Sequence, residues 1–412
     1  MTYRHSNPEF VCAQCFSDEG LQAFVESHAE NNECDFCGAT ADEPIAAPFR
    51  EVAEHIFACI GKYYDDPANA GLAYETREGG WQGVTYTTEE ILEEVELDFP
   101  NTSGDRLREA LVDASSIDLW SDATPYSLNE DQRLQFSWDD FCRVIKHQRR
   151  YFFHQHRRDD DEIYSPGEIL RLIFSYAEDG GAFVNLPAKT PFYRARHEPV
   201  GSHFASALTL GPPPEEAAIQ TNRMSPPGIV MTYVADDENT ALAETANKPG
   251  TFAVGKFVTE RDVLILDLTH LPGVPSLFAE VWDTMEYDPR PRLAFLHSIS
   301  GEISRPIARD DRVHVEYVPT QVVTEYVRHS VAIEGRSVDG IRYRSSRKNA
   351  GTAVVLFADN RNLILEEHER PEFYHLSRDR WLRLEATTTR VITKQDLVRW
   401  SGNSASASYR RM

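Results

Sequence analysis

The sequence predicts an α+β protein in two parts: a helical N-terminal region that opens on a small cysteine knuckle, then a strand-rich second half. Three observations carry that prediction. Charge is split unevenly: residues 1–190 hold 15 basic and 37 acidic side chains, a net of −22, while residues 191–412 hold 27 and 29, a net of −2. Four of the six cysteines lie within the first 37 residues. Near residue 190 the texture changes from helical periodicity to short β-rich runs separated by Gly and Pro, such as Gly211-Pro212-Pro213-Pro214. At 412 residues, 41% apolar and 11% aromatic, the chain has material for several domains and is not a largely disordered polymer.

The cysteines come first. Cys12, Cys15, Cys34 and Cys37 read C-x2-C, eighteen residues, C-x2-C. That spacing lets two tight turns present four thiolates to one tetrahedral zinc ion, and Gly38 permits the second turn. Such a closed shell is structural and leaves no position for catalysis. Redox-active thiols are the alternative. Cys59 and Cys142 sit in apolar helical patterns and read as core thiols.

Helical patterns follow. Leu21 to His28 forms a short amphipathic stretch, Pro48-Phe49 opens another through Ile60, and Thr87 or Thr88 caps a third. Residues 104–115 and 138–154 are further helices, and Ser165-Pro166 opens one through Tyr176, closed by Gly180-Gly181. Asp159 to Glu162 is an acidic loop. Strands are expected at 191–196, 228–234, 252–258, 262–268 and 353–357, with a helix at Asn239–Ala246. Val313–Val327 reads as a strand passing Pro319 into a helix. Ser401–Met412 reads as a flexible tail.

The charge of the first half repels phosphate backbones and makes nucleic acid an improbable partner. Met1–Phe10 is polar and no apolar run approaches a membrane span, so a cytoplasmic, membrane-free protein is expected.

Four features in residues 191–360 belong together: Phe192-Tyr193-Arg194-Ala195-Arg196; Asn222-Arg223-Met224-Ser225-Pro226-Pro227-Gly228 leading to Tyr233; Asn239-Thr240-Ala241-Leu242-Ala243-Glu244, with one acid among small and apolar residues; and Asp339-Gly340-Ile341-Arg342-Tyr343-Arg344-Ser345-Ser346. At these residues the chain resembles the RES family, whose members degrade NAD, many as bacterial toxins paired with an antitoxin. The first half resembles the helical, HEPN-type region with paired cysteines that precedes RES domains in longer members. The resemblance implies a zinc-binding knuckle over 1–47, a mainly helical HEPN-like domain over 48–185, an ADP-ribosyltransferase-like RES domain over 186–400 and a tail over 401–412.

Carried over by motif, the resemblance makes Arg194, Glu244 and Ser345 the catalytic set, with Ser346 the neighbouring alternative and Thr320 a more distant hydroxyl. Tyr193, Arg223 and Tyr233 are expected to bind substrate. These residue types suit scission of the nicotinamide–ribose bond, which builds positive charge on the ribose. A carboxylate such as Glu244 stabilises that charge, and a guanidinium such as Arg194 grips the pyrophosphate. The acceptor is left open between water, phosphate and a macromolecule, the last making an ADP-ribosyltransferase. An antitoxin or regulatory protein and a homo-oligomer are the partners the resemblance suggests. Taken singly, each residue has a blander role: a surface arginine, a solvated glutamate, core tyrosines, a capping serine. The ordered set is what points to chemistry.

A rival constellation lies in the first half. Arg149 and His154, or Arg150 and His156, match the Arg-x(4–6)-His spacing of HEPN ribonucleases, in a basic, aromatic island. The alternatives are thus a ribonuclease, or a non-catalytic interaction module.

Overall fold

The computed structural model describes residues 9–77, 79–100, 104–153, 162–280, 287–305, 312–348, 350–370, 375 and 379–402. Its contacts group into two units, Met1–Arg133 with Gly273–Pro291, and Leu134–Pro272 with Arg292–Met412.

In the first unit β1 (Phe10–Cys12) pairs antiparallel with β2 (Ala46–Pro48), setting Cys12 opposite Ala46. Between them a single 3-10 turn, Ala13–Cys15, leads to α1 (Glu19–Ser27), capped by Asp18. Helix α2 (Phe49–Ile60) follows β2 directly. The short strands β3 (Tyr64–Asp65), β4 (Tyr74–Glu75), β5 (Gly80–Trp81) and β6 (Tyr86–Thr87) lead into α3 (Thr88–Glu94), α4 (Gly104–Ala114) and β7 (Leu119–Asp122), which pairs with β3 and β6. Thr87 caps α3, its Oγ1 accepting from Glu90 N–H while the Glu90 carboxyl accepts from Thr87 N–H. The apolar faces Leu21/Val25, Ile56/Ile60, Ile91/Leu92 and Leu107/Leu111 close on Trp120. Trp120 Nε1 donates to Thr88 Oγ1 at 3.1 Å, so its one polar atom is satisfied in the core.

The segment from Gly273 completes this core. Phe278 is 1% exposed among the residues just named. Ser276 Oγ donates to Asp18 Oδ1 at 2.7 Å, the oxygen that also caps α1, and His55 donates from Nε2 to the Phe278 carbonyl at 2.8 Å. Gly20 makes room for it: a Cβ there would meet Ser276 Oγ at 2.7 Å and the Ala279 nitrogen at 2.8 Å. Alanine in a helix gains about 1 kcal/mol over glycine, but forcing backbone apart in a packed site costs roughly 1–3 kcal/mol. Because the obstruction includes backbone, the steric cost wins. Gly20→Ala is expected to lower the first unit's melting temperature by a few degrees in calorimetry; a rise would show that the segment yields freely.

The second unit begins within α5 (Glu130–His147), whose residues Leu134, Trp138, Phe141 and Ile145 enter its core. The helix starts earlier and ends earlier than the expected 138–154. Asn129 accepts the Gln132 N–H at 2.9 Å and sets the start, and the Gln148 and Arg149 amides both close on Val144 O at 2.8 Å and end it. Helix α6 (Pro166–Asp179) opens on a Ser165–Glu168 capping box and stops at Gly180, close to expectation.

Next come β8 (Phe183–Leu186), β9 (Pro191–His197), the single turn α7 (Ala207–Leu210), β10 (Thr232–Ala235), α8 (Glu238–Thr245), β11 (Gly250–Thr259) and β12 (Val263–Asp267). Helices α9 (Arg290–Ser304), α10 (Val313–Glu316) and α11 (Val318–Ser330) follow, then the hairpin β13 (Ala332–Ile333) and β14 (Arg336–Ser337). Strands β15 (Gly340–Arg344), β16 (Thr352–Leu356), β17 (Leu363–Ile364) and β18 (Leu382–Ile392) and helix α12 (Lys394–Gly402) complete the unit. The strand expected at Val313 is instead the helical turn α10. Pro319 sits in the first turn of α11, where a missing N–H costs nothing.

Among the described residues nine strands form one sheet, in the order β17-β18-β11-β9-β10-β16-β15-β12-β8. Its pairs are antiparallel except β12–β15 and β17–β18. One face, with Leu264, Leu266, Ile341, Tyr343 and Val355, packs on α5, α6, α9 and α11. The other gathers Phe192, Val234, Phe257, Ile265, Val354 and Trp381. No helix among the described residues is long and apolar enough to cross a membrane.

Candidate active site

Register decides which expected residues share a face. In antiparallel ladders, directly paired residues project to the same side. Tyr233 pairs with Val355, which pairs with Ile341; Ala235 pairs with Ala353 and with Tyr193; Ala353 pairs with Tyr343. Tyr193, Tyr233 and Tyr343 therefore share one face. Helix α8 packs on that face of β9, with Ala241 and Leu242 in a cluster with Ala195, Ala235 and Val254.

Glu244 lies in the last turn of α8, and Ser345 follows β15 immediately. The Ser345 hydroxyl donates to Glu244 Oε1 at 2.5 Å across 101 residues of sequence. The same hydroxyl oxygen accepts from the amides of Arg347 and Lys348, each at 3.1 Å. It is Ser345, not Ser346, that meets Glu244. Thr320 is spoken for elsewhere, its Oγ1 donating to Arg223 O at 2.5 Å and to Tyr317 O at 3.0 Å.

Arg194 stands apart from this pair. It lies opposite Gly255, on the face that carries Phe192. Strands β9 and β10 pair only through Tyr193 and Ala235, and where they part Arg194 Nη1 donates to Tyr233 O at 2.7 Å. Its Nε is buried without a hydrogen-bond partner. Burial, with Arg196 beside it, lowers the Arg194 pKa to about 10, so it remains a cation at neutral pH. Among the described residues no hydrogen bond or ion pair joins Arg194 to Glu244 or Ser345. A half-buried guanidinium whose one hydrogen bond among the described residues goes to a carbonyl is suited to an anion.

The other expected residues make contacts of their own, and Tyr343 is the tyrosine that lies near Glu244. Tyr233 OH meets Ser225 Oγ at 2.9 Å and accepts from Met224 N–H at 3.2 Å, and burial pushes its pKa up to about 12. Arg223 donates to Ile303 O at 2.5 Å and lies 5.8 Å over the Tyr317 ring, so it braces its turn. Gly228, at φ +86°, closes that turn in a conformation glycine favours.

Tyr343 belongs to the fourth motif but is not among the expected site residues. It is 7% exposed, and burial followed by the nearby Glu244 raises its pKa. Its position two residues before Ser345, on the Tyr233 face by strand alternation, was the available signal. Asp339 and Gly340 serve the scaffold. Asp339 takes Arg261 in a two-pronged ion pair at 2.7 and 2.9 Å, and a Cβ on Gly340 would collide with the Val355 carbonyl.

A cavity of about 410 Å³ lies elsewhere in the unit, lined by His203, Ser206, Thr209, Glu366, His368 and Glu385 among others. None of the expected residues lines it.

In the first unit Cys12, Cys15, Cys34 and Cys37 converge, with all four sulfurs within 4.8 Å of one another. The closest separations are 3.5 Å for Cys12–Cys37, 3.7 Å for Cys15–Cys34 and 3.8 Å for Cys12–Cys15. Zinc–sulfur bonds of about 2.3 Å in a tetrahedron imply sulfurs about 3.8 Å apart, and a disulfide about 2.05 Å. The set has the dimensions of a metal shell. Of the rival motif, Arg149 and Arg150 lie exposed beyond the end of α5, and His154 and His156 lie outside the described residues.

Residues 191–379 match the family model for the RES domain, which marks the chain in general terms as an NAD-acting enzyme. Residues 27–159 match the model for HEPN/RES N-terminal domain 1, a span that contains Cys34 and Cys37 but not Cys12 and Cys15. The chain thus carries a region that matches the RES domain, preceded by one that matches HEPN/RES N-terminal domain 1. No curated protein and no solved structure matches it.

Proposed function

We propose that the protein degrades NAD+ by breaking the nicotinamide–ribosyl bond in an ADP-ribosyltransferase-like RES domain, as a growth-arresting toxin or defence effector. The observation that carries this reading is the hydrogen bond between Glu244 and Ser345, beside three tyrosines on one sheet face. As nicotinamide leaves, the ribose becomes an oxocarbenium-like cation. Glu244 stabilises that charge and holds a ribose hydroxyl, and Ser345 orients the Glu244 carboxyl. Tyr193 and Tyr233 flank the rings of the substrate. Arg194, a half-buried cation with an unpartnered Nε that reaches the Tyr233 carbonyl where β9 and β10 part, binds the pyrophosphate, and Arg223 supplies a second phosphate contact. In this reading the four cysteines hold a structural zinc, and the N-terminal region regulates or pairs the chain.

Purified protein mixed with NAD+ is expected to release free nicotinamide and ADP-ribose, read by mass spectrometry. With added phosphate, ADP-ribose-1″-phosphate would make it a phosphorylase, and label on a macromolecule would make it a transferase. Intact NAD+ under all three conditions would overturn the reading. Arg194→Met is expected to raise KM for NAD+ at least tenfold, since a charge-assisted contact is worth about 1.5–3 kcal/mol. An unchanged KM would remove Arg194 from the site.

A further inference from the structure

The turn that carries Ser345 is fastened by charge to the helix that carries Glu244. Lys348 Nζ donates to both carboxyl oxygens of Asp237, at 2.9 and 3.1 Å, and to Thr240 Oγ1 at 2.9 Å. Asp237 is the N-cap of α8 and accepts the Thr240 amide at 2.9 Å. One residue earlier, Asp236 takes Arg342 through Nη2 at 3.3 Å and Nε at 3.3 Å, and Arg342 also reaches Asp267 at 3.2 Å. Arg342 and Lys348 thus bracket Ser345 in sequence, while Asp236 and Asp237 head the helix that ends beside Glu244. Gly351 closes the turn by accepting Ser345 N–H at 2.8 Å, and it lies so near α8 that a Cβ would meet Thr240 Oγ1 at 2.9 Å.

Among the described residues of the turn, Lys348 bonds both to Ser345 and to the first turn of the helix that carries Glu244. Its backbone N–H donates to Ser345 Oγ, and its ammonium holds the first turn of the Glu244 helix. We propose that Lys348 is a positioning residue that sets the Glu244–Ser345 pair. This rests on the NAD reading above.

The bland alternative is an ion pair of little consequence. The Lys348 and Asp237 side chains are 28% and 44% exposed, and such solvent-screened pairs contribute little to folding. Catalysis is far less tolerant, because a displacement of about 1 Å at a reacting group can cost roughly a hundredfold in rate. The two roles therefore separate by experiment.

Lys348→Met is expected to lower kcat for NAD+ cleavage roughly 10- to 100-fold, with KM within about threefold of wild type and the melting temperature shifted by no more than about 2 °C. Lys348→Arg is expected to recover part of the loss. In a Ser345→Ala background, adding Lys348→Met is expected to cost nothing further, because the group it positions is gone. Wild-type kcat in Lys348→Met, or a full multiplicative loss in the double variant, would overturn the proposal. Full activity in both Glu244→Gln and Ser345→Ala would instead bring down the site reading itself, and this proposal with it.

Discussion

Glu244→Gln is expected to lower NAD+ turnover by roughly 10³-fold while the protein melts as wild type does. The substitution keeps size and shape and removes the negative charge that faces a developing ribose cation. Losing one preorganised electrostatic contact in an active site costs about 10²–10³ in rate, and loss of a full charge belongs at the upper end. That is about 4 kcal/mol of transition-state stabilisation. Folding has much less at stake, because Glu244 is only half-buried and the Ser345 hydroxyl can donate to the amide oxygen as well. KM is expected to move little, since the ground-state ribose is uncharged. Turnover within about threefold of wild type would sink the assignment.

If the four cysteines hold the zinc proposed above, removing it is expected to unfold the first unit. The four cysteines tie the end of β1, the following 3-10 turn and the Cys34–Cys37 turn to one point. Cys12, Cys15 and Cys34 are buried in the same core as Leu21, Ile56 and Trp120. A structural zinc contributes roughly 10–16 kcal/mol in small zinc-finger peptides, as much as a typical domain's whole stability of about 5–15 kcal/mol. Chelation, or Cys34→Ala, should strip amide-exchange protection from α1 and α2. Elemental analysis should find one zinc per chain. Full protection in protein shown to be metal-free would reduce the cluster to packed thiols.

How much was legible beforehand varies with the kind of signal. Two helix starts were legible: Thr87 or Thr88 for one and Ser165-Pro166 for the other, and the structure makes Thr87 and Ser165 the caps of α3 and α6, each paired with a glutamate three residues on. Glu244 and Ser345 were legible as motif members, but not as bonded partners, because 101 residues separate them and only the sheet brings them together. The separation of Arg194 was also hidden. Tyr193 and Arg194 are adjacent in sequence, and strand alternation sends them to opposite faces. Strand β18 was missed because its outward residues are Thr and Arg for most of its length, so it lacks an apolar rhythm. Helices α5 and α6 read as part of a helical first half, yet their apolar faces are buried in the second unit's core. Periodicity reports that a face is apolar and says nothing of its partner.

Phe278 carries a practical corollary for anyone trimming this chain. It lies inside the span 191–379, yet it is a core residue of the unit built from residues that precede 134. A truncation that keeps only the C-terminal portion would strand an apolar loop in water. One that keeps only the N-terminal portion would leave a hole where a phenylalanine belongs, a defect of about 3–5 kcal/mol in cores of this kind. Neither fragment is a fair surrogate for its part of the intact molecule. Gene fusions and domain exchanges in this architecture need to move residues 273–291 together with the N-terminal piece, although the two are far apart in the reading frame.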